Sequence, residues 1–386
     1  MKAAAAKRAA HAQELPRSFV SSPPDTWLFI AVTSLVAIGL VMIFSASSAQ
    51  AYADHHDTAY YVKRQAIYLV IGLILAYGAY RIDYRKLRAF APYALLLCIA
   101  GLLTVFVPHV GMTVAGARRW IGAGSFSLQP SEFAKLGLVI YLSAALAARG
   151  DRITSLTRGL IPMCIPVFLT AMLVLIEPDI GTSSLIIFTA FAMFFAAGAR
   201  IEHLLMVIAV TVPPAALAIM SSPYKRARIF AFLHPFKDAQ NTGFHIVQSL
   251  LALGSGGLFG VGLGESRAKF FYLPEQYTDF IFSVLGEELG LIGTATVLIL
   301  FGMLAYRATR IAISAPDKFG FFLAAGCAAM IVIQAFVNIA VVTSSWPVTG
   351  VPLPFISFGG SSLIVSLIAV ALIINVGRHR RVNTSE

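Results

Sequence analysis

The residue on which chemistry could turn is Asp279. It closes a polar, basic stretch, GESRAKFFYLPEQYT, and heads an apolar one, FIFSVLGEELGLIGTATVLILFGML. A carboxylate at such a junction of water and lipid can be partly desolvated and still meet a water-borne hydroxyl. Desolvation raises a carboxyl pKa, and a raised pKa suits a general base. The same place also suits a helix N-cap, for which Thr278 or Asp279 would be ordinary.

A second constellation is Glu132 and Lys135, at the start of an apolar run over 131–148. Their i,i+3 spacing puts them on one helix face. Charges inside a membrane are paired or functional by default. Their depth matches that of Asp279, so Lys135 beside Asp279 would hold it ionised while Glu132 would push its pKa up. A purely structural Glu–Lys pair is the alternative. Glu287 and Glu288 follow Asp279 by two turns, roughly 12 to 14 Å deeper at 1.5 Å per residue. They read as bridges between spans.

The third constellation is cationic. The segment 108–130 carries Arg118, Arg119 and Trp120. The segment 222–277 carries Lys225, Arg226, Arg228, Lys237, Arg267 and Lys269 against Asp238, Glu265 and Glu275. An arginine fork matches phosphate oxygens, so these residues suit an anion site. Long outer loops also tolerate positive charge without function. His245, Gln248 and Ser249 of GFHIVQS, with Glu275, join the candidate substrate contacts. So do the hydroxyls Ser357 and Ser361 of PFISFGGSSL, where a re-entrant plug without chemistry is the alternative. No Walker loop, Rossmann fingerprint, HExxH or GxSxG occurs, so the driving force must come from an activated substrate. A basic vestibule and one carboxylate base on a lipid-exposed scaffold suggest chemistry on a lipid phosphate.

The elements that must position these residues are membrane spans. The 386 residues are 58% hydrophobic and only 12% charged, against about 25% charged in soluble domains. Apolar runs near 27–48, 64–80, 90–107, 131–148, 159–176, 181–199, 203–221, 278–306, 319–341 and 361–377 approach or exceed the ~20 residues that cross a bilayer. The expected fold is therefore an all-α integral membrane protein of ten transmembrane helices with both termini cytoplasmic. A large outer loop, 222–277, separates spans seven and eight. A basic arm, 1–26, reads as disordered, and 378–386 as a cytoplasmic tail. Most Lys and Arg then fall on the cytoplasmic side, as the positive-inside rule asks. The net charge of +11 needs no nucleic-acid partner. SASSAQAYA after the first run resembles a signal-peptidase site, but the run exceeds a signal core, which favours a retained helix. Cys98, Cys164 and Cys327 lie in apolar runs and suggest neither disulfide nor zinc site. GFHIVQSLLALGSGGLFGVGLG reads as an amphipathic helix on the membrane followed by a tight glycine-rich turn. Pro347, Pro352 and Pro354 exclude regular helix before the last span.

These residues resemble the SEDS family of peptidoglycan polymerases from GLVMIFSASS onward. The motifs that carry the resemblance are ARRWI with SLQPSEFAKL, EPDIGTS, the long stretch from GFHIVQS to GEELGLIG, and PLPFISFGGSSL. The arm, the SASS and GLGESRAKFFYLPE place the chain with the FtsW/SpoVE division branch rather than RodA. Two departures are Tyr277, where the family usually has His before TDF, and Phe358, where Tyr is usual.

The resemblance implies an inverting glycosyltransferase at the outer face of the cytoplasmic membrane, at the division septum. It would join lipid II into β-1,4 glycan and release undecaprenyl diphosphate. Asp279 matches the family's essential Asp, Glu132 and Lys135 its fourth-span pair, and Arg119 and Trp120 its loop residues. The implied partners are a class B penicillin-binding protein transpeptidase, other divisome membrane proteins and the lipid bilayer. No cofactor is evident, and a divalent cation, Mg or Mn, is compatible with the diphosphate. A lipid II flippase and a RodA-type elongation polymerase are the competing readings.

Overall fold

A computed structural model describes residues 25–108, 110–114, 117–123, 126–220, 223–241 and 243–379. The arm and most of the tail read from sequence lie outside the described residues. Each of the ten apolar runs coincides with a helix. These are α1 (Thr26–His55), α2 (Tyr60–Arg81), α3 (Tyr84–Thr104), α4 (Pro130–Arg149), α5 (Ile161–Ile176), α6 (Ile180–Ala196) and α7 (Ile201–Met220). Two shorter helices, α8 (Pro223–Leu233) and α9 (Phe244–Ser255), precede α10 (Ile281–Ile313), α11 (Lys318–Val342) and α12 (Gly360–Arg378). Among the described residues, eight helices are long and apolar enough to cross a membrane, while α6 and the Ile201–Pro213 part of α7 are apolar but shorter.

Helix starts are marked by aspartates. Asp25, Asp83, Asp179 and Asp317 each accept a backbone N–H in the first turn of α1, α3, α6 and α11, which satisfies one of the donors a helix start leaves open. Asp25 also takes the Arg307 guanidinium through Nε at 3.0 Å to both oxygens, tying the start of α1 to α10. The SASS segment stays inside α1. Ser45 and Ser47 are buried there, so the peptidase-like tail is a packed helix end.

The core lies around α11 and α12, of whose apolar windows 67% and 83% are buried, against 17% for α2 and α3. With lipid on one side and little hydrophobic gain between helices, close approach depends on small residues. A Cβ at Gly360 would overlap the Tyr68 ring, and one at Gly39 the backbone of Phe355. The three cysteines are free.

Two features depart from an all-helical reading. The segment after α3 folds as an antiparallel sheet of β1 (Gly111–Val114), β2 (Ala117–Ala123) and β3 (Phe126–Leu128), in the order β1-β2-β3. Its strands are too short and glycine-flanked for a clear alternating pattern. The second feature is a break in α10 at Gly290, with φ 65° and ψ −161°. The glycine-rich turn after α9 supplies the hydrogen bonds the break disturbs. Val261 N and Gly262 N donate to the carbonyls of Glu287 and Glu288 at 2.9 and 3.1 Å. Leu291 N and Ile292 N donate to those of Gly257 and Leu258 at 2.9 and 3.2 Å. Irregular backbone inside a membrane protein needs such internal partners.

Candidate active site

Asp279 stands two residues before α10 and is half-buried. It is not the N-cap. A tight turn precedes the helix, with Thr278 N and Phe280 N both donating to Glu275 O at 3.2 Å. Glu275 takes a left-handed φ of 54° to make that turn, and its carboxylate accepts from Thr278 Oγ1 at 2.7 Å. A Cβ added at Gly350 would lie 3.4 Å from Asp279 Oδ2, and Gly350 has φ +72°. The carboxylate therefore faces a backbone turn that only glycine fits without strain.

The backbone at Asp279 is held from two sides. Ser357 Oγ donates to Thr278 O at 2.6 Å and accepts from Leu353 N at 2.8 Å. Phe358 N donates to Tyr277 O at 2.9 Å. Asn338, on α11, donates through Nδ2 to both Asp279 O and Val351 O at 2.7 Å. The PLPFISFGG segment thus forms a wall of the site. Ser361 accepts from Gln129 N at 2.9 Å and fixes that wall to the start of α4.

Glu132 and Lys135 form a buried ion pair of 2.9 Å. Lys135 Nζ also donates to Gln334 Oε1 at 2.6 Å. Gln334 Nε2 in turn donates to Pro352 O and Ser362 Oγ at 2.9 and 3.0 Å. Gln334 and Asn338 are one turn apart on α11. The pair reaches the Asp279 segment through these two amides and the wall between them, a connection the sequence reading replaced with direct contact. Glu288 accepts from Ser45 Oγ at 2.6 and 2.8 Å and faces Lys269 Nζ at 3.9 Å, all buried. Glu287 accepts from Arg267 N and Ala268 N at 3.0 and 3.2 Å. These two glutamates do bridge elements, with Lys269 as a cation that sequence separation hid.

Arg118, Arg119 and Trp120 lie on β2, with Arg118 exposed and the other two half-buried. Arg119 donates through Nε to Glu177 O at 3.1 Å and through its terminal nitrogen to Pro178 O, which docks the sheet on the EPDIG turn. Glu177 is buried, and neither carboxylate oxygen has a hydrogen-bond partner among the described residues. Burial, with the nearby Asp179 charge, pushes its carboxyl up to about 8 against the opposing pull of Arg119. Asp179 accepts from Thr182 N at 2.9 Å and Gln129 Nε2 at 3.1 Å.

The long segment contributes unevenly. The His245 ring stacks on Phe280, centroids 5.9 Å apart, next to Asp279. Gln248 is half-buried on the same helix. Ser249 is fully buried, bonded to Ser283 Oγ and Val342 O at 2.7 Å each, so it packs α9 on α10 and α11. Arg226 is exposed on α8, which packs on α7 and on the Pro235–Asp238 turn. Lys225 and Arg228 lie on α8 too, their side chains outside the described residues. Among the described residues, no group of three or more His, Cys, Asp or Glu is arranged to hold a metal.

The family model for cell cycle proteins of the FtsW, RodA and SpoVE type matches residues 26–382. Stage V sporulation protein E of Bacillus subtilis is 44% identical over 358 residues, spanning 93% of this chain and 98% of the relative. A probable peptidoglycan glycosyltransferase FtsW of Geobacter metallireducens is 44% identical over 352 residues, 91% of this chain and 94% of the relative. Among solved structures, a chain of a peptidoglycan synthase complex that coordinates polymerization and crosslinking aligns with a TM-score of 0.76. Its identity is 32%, over 92% of this chain and 98% of that one. The rod shape determining protein RodA of Thermus thermophilus gives 0.67 at 31% identity, over 93% and 98%.

Proposed function

Since the chain belongs to the FtsW, RodA and SpoVE family of cell cycle proteins, we propose that it is a peptidoglycan glycosyltransferase whose base is Asp279. It polymerises lipid II at the outer face of the cytoplasmic membrane, within ten spans whose termini are both cytoplasmic. The observation that carries the base assignment is the setting of Asp279. Its backbone is pinned by Asn338, the turn before the helix is closed by Glu275, and its carboxylate lies against the wall at Gly350.

The donor sugar of lipid II is an α-linked diphosphate and the product linkage is β, so the displacement inverts. Inversion needs one base to take the acceptor hydroxyl proton as that oxygen attacks the anomeric carbon. Asp279 takes the proton, and the diphosphate leaves with the bonding pair. The leaving group needs no proton where cations hold it. Arg119, Arg226 and their basic neighbours supply that charge. A divalent ion, Mg or Mn, would supply further positive charge to the leaving group, and chelation measures its contribution. The Glu132–Lys135 pair supports the site through Gln334 and the 352–362 wall. The neighbouring complex of polymerization and crosslinking supports a class B penicillin-binding transpeptidase as partner, and the sporulation and division relatives support septal work.

The test is the purified protein in vesicles with labelled lipid II on one leaflet, with and without such a transpeptidase. Asp279→Asn is nearly isosteric and cannot take a proton. Polymer formation falls at least ~10²-fold, the usual loss for a general base, with the fold retained. Near-normal glycan from that variant sinks the base assignment. Movement of lipid II between leaflets without polymer, lost in the variant, makes the protein a flippase instead.

A further inference from the structure

A ladder of aromatic rings leads from the turn between α1 and α2 to the residue two before Asp279. His55 stacks on Tyr60 with centroids 3.6 Å apart, and Tyr60 meets Tyr61 edge-on at 5.2 Å. Tyr61 lies 4.5 Å from Tyr277, and Phe358 closes the group at 5.3 Å from Tyr61 and 5.9 Å from Tyr277. His55 is exposed, and Tyr60, Tyr61, Tyr277 and Phe358 are half-buried, so the ladder keeps a surface along its length.

Acidic groups flank this surface. Asp54 and Glu275 are exposed and near enough to bear on the Tyr277 hydroxyl. Asp57 beside them is paired with Lys63 at 2.8 Å. Arg64 lies over the Tyr60 ring, 5.7 Å from its centroid, so the ladder is aromatic with charges of both signs around it. An aromatic belt at the membrane interface spaces its rings around the protein with their faces toward headgroups. Here only His55 and Tyr60 stack, the other rings meet edge-on or tilted, and the chain of contacts ends at Tyr277, two residues before Asp279.

We propose that this ladder is a saccharide track, on which N-acetylated sugar rings of the glycan lie beyond the unit reacting at Asp279. The apolar C–H face of a pyranose packs on an aromatic face, and its hydroxyls donate to carboxylate and phenol oxygens, as in sites lined by aromatics with a few polar groups. Aromatic rings flanked by carboxylates suit the sugar part of a substrate that also carries a diphosphate. The inference rests on the glycosyltransferase reading for the identity of the sugar.

The probe is a peptide-free tetrasaccharide of alternating N-acetylglucosamine and N-acetylmuramic acid, titrated against the full chain in detergent. Its binding is compared in wild type, Tyr60→Ala, Tyr61→Ala and Tyr60→Trp, each checked for an unchanged melting temperature. Removing one ring weakens binding roughly tenfold, the size of one lost aromatic contact, and Tyr60→Trp retains it. With lipid II as substrate, Tyr60→Ala gives shorter glycan. No tetrasaccharide binding to the wild type, or equal binding in both alanine variants, overturns the track. Ring-dependent tetrasaccharide binding by a protein that makes no glycan would leave the track standing and remove the polymerase reading alone.

Discussion

Glu177 is a buried acid without a hydrogen-bond partner among the described residues, and its burial makes stability depend on pH. Its carboxyl is raised from 4.5 to about 8. Below the unfolded pKa both states hold the proton and the group costs nothing. Between 4.5 and 8 the unfolded chain releases the proton while the folded one keeps it, so stability falls as pH rises. Above 8 the full cost is present. Each pH unit of displacement is about 1.4 kcal/mol, which sets a ceiling of roughly 5 kcal/mol. Relaxation and water entry bring the expected figure to about 2 to 3 kcal/mol. Glu177→Gln keeps the shape and removes the titration. The measurement is the melting temperature of both proteins in one detergent from pH 5 to 9. The variant gains on the wild type across pH 5 to 8, and the gap levels off above 8. Parallel curves, or a gap that widens toward acid, refute the reasoning.

Three further outcomes are expected. Lys135→Met leaves the buried Glu132 carboxylate without its cation and costs about 3 to 5 kcal/mol, much of it regained when Glu132→Gln is added; a loss under ~1 kcal/mol in thermal denaturation contradicts the pair's burial. Arg119→Gln and Arg226→Gln each weaken binding of a lipid diphosphate, and Lys at either place restores only part because the fork is gone; unchanged affinity in both Gln variants removes the anion site. Asn338→Leu strips the donor from the carbonyls of Asp279 and Val351, at about 1 to 3 kcal/mol for each buried group left unpaired. Its turnover falls with little change in substrate KM, and an unaltered kcat shows that the base does not depend on that anchor.

The helices were legible because length and apolarity are local properties, and all ten apolar runs became helices. The glycine-rich turn was legible as irregular backbone, but not its partner. Nothing local announces that Gly257–Gly262 hydrogen-bonds across the break at Gly290. Asp279 was legible as the polar residue at the junction, while the turn that sets it ahead of the helix depends on Glu275 adopting φ 54°, an uncommon conformation for a side-chain-bearing residue. Gln334 and Asn338 escaped notice because they are neutral and sit within FFLAAGCAAMIVIQAFVNIAVV. The available signal was their i,i+4 spacing. Two amides on one face of an otherwise apolar helix are expected to bond across to neighbours. Ser249 misled in the opposite sense: a hydroxyl in a polar motif on an outer segment proved to be a packing group.

The break in α10 bears directly on how Asp279, the proposed base, is held ahead of the helix. A continuous helix would pass any bend of its inner half to Asp279. The outer part, Ile281–Leu289, is instead fixed by its own polar anchors. Glu287 is held by the Arg267 and Ala268 amides, Glu288 by Ser45 of α1, Ser283 by Ser249 of α9, and the preceding turn by Ser357 and Asn338. Such buried bonds are costly to break and directional. They fix position where dispersion between apolar helices and lipid tails would allow sliding. Placement of that kind is what a reacting group in the proposed mechanism would need, to within a fraction of an ångström. On the proposed mechanism Glu287 and Glu288 act through position alone: they hold the half-helix that Asp279 precedes.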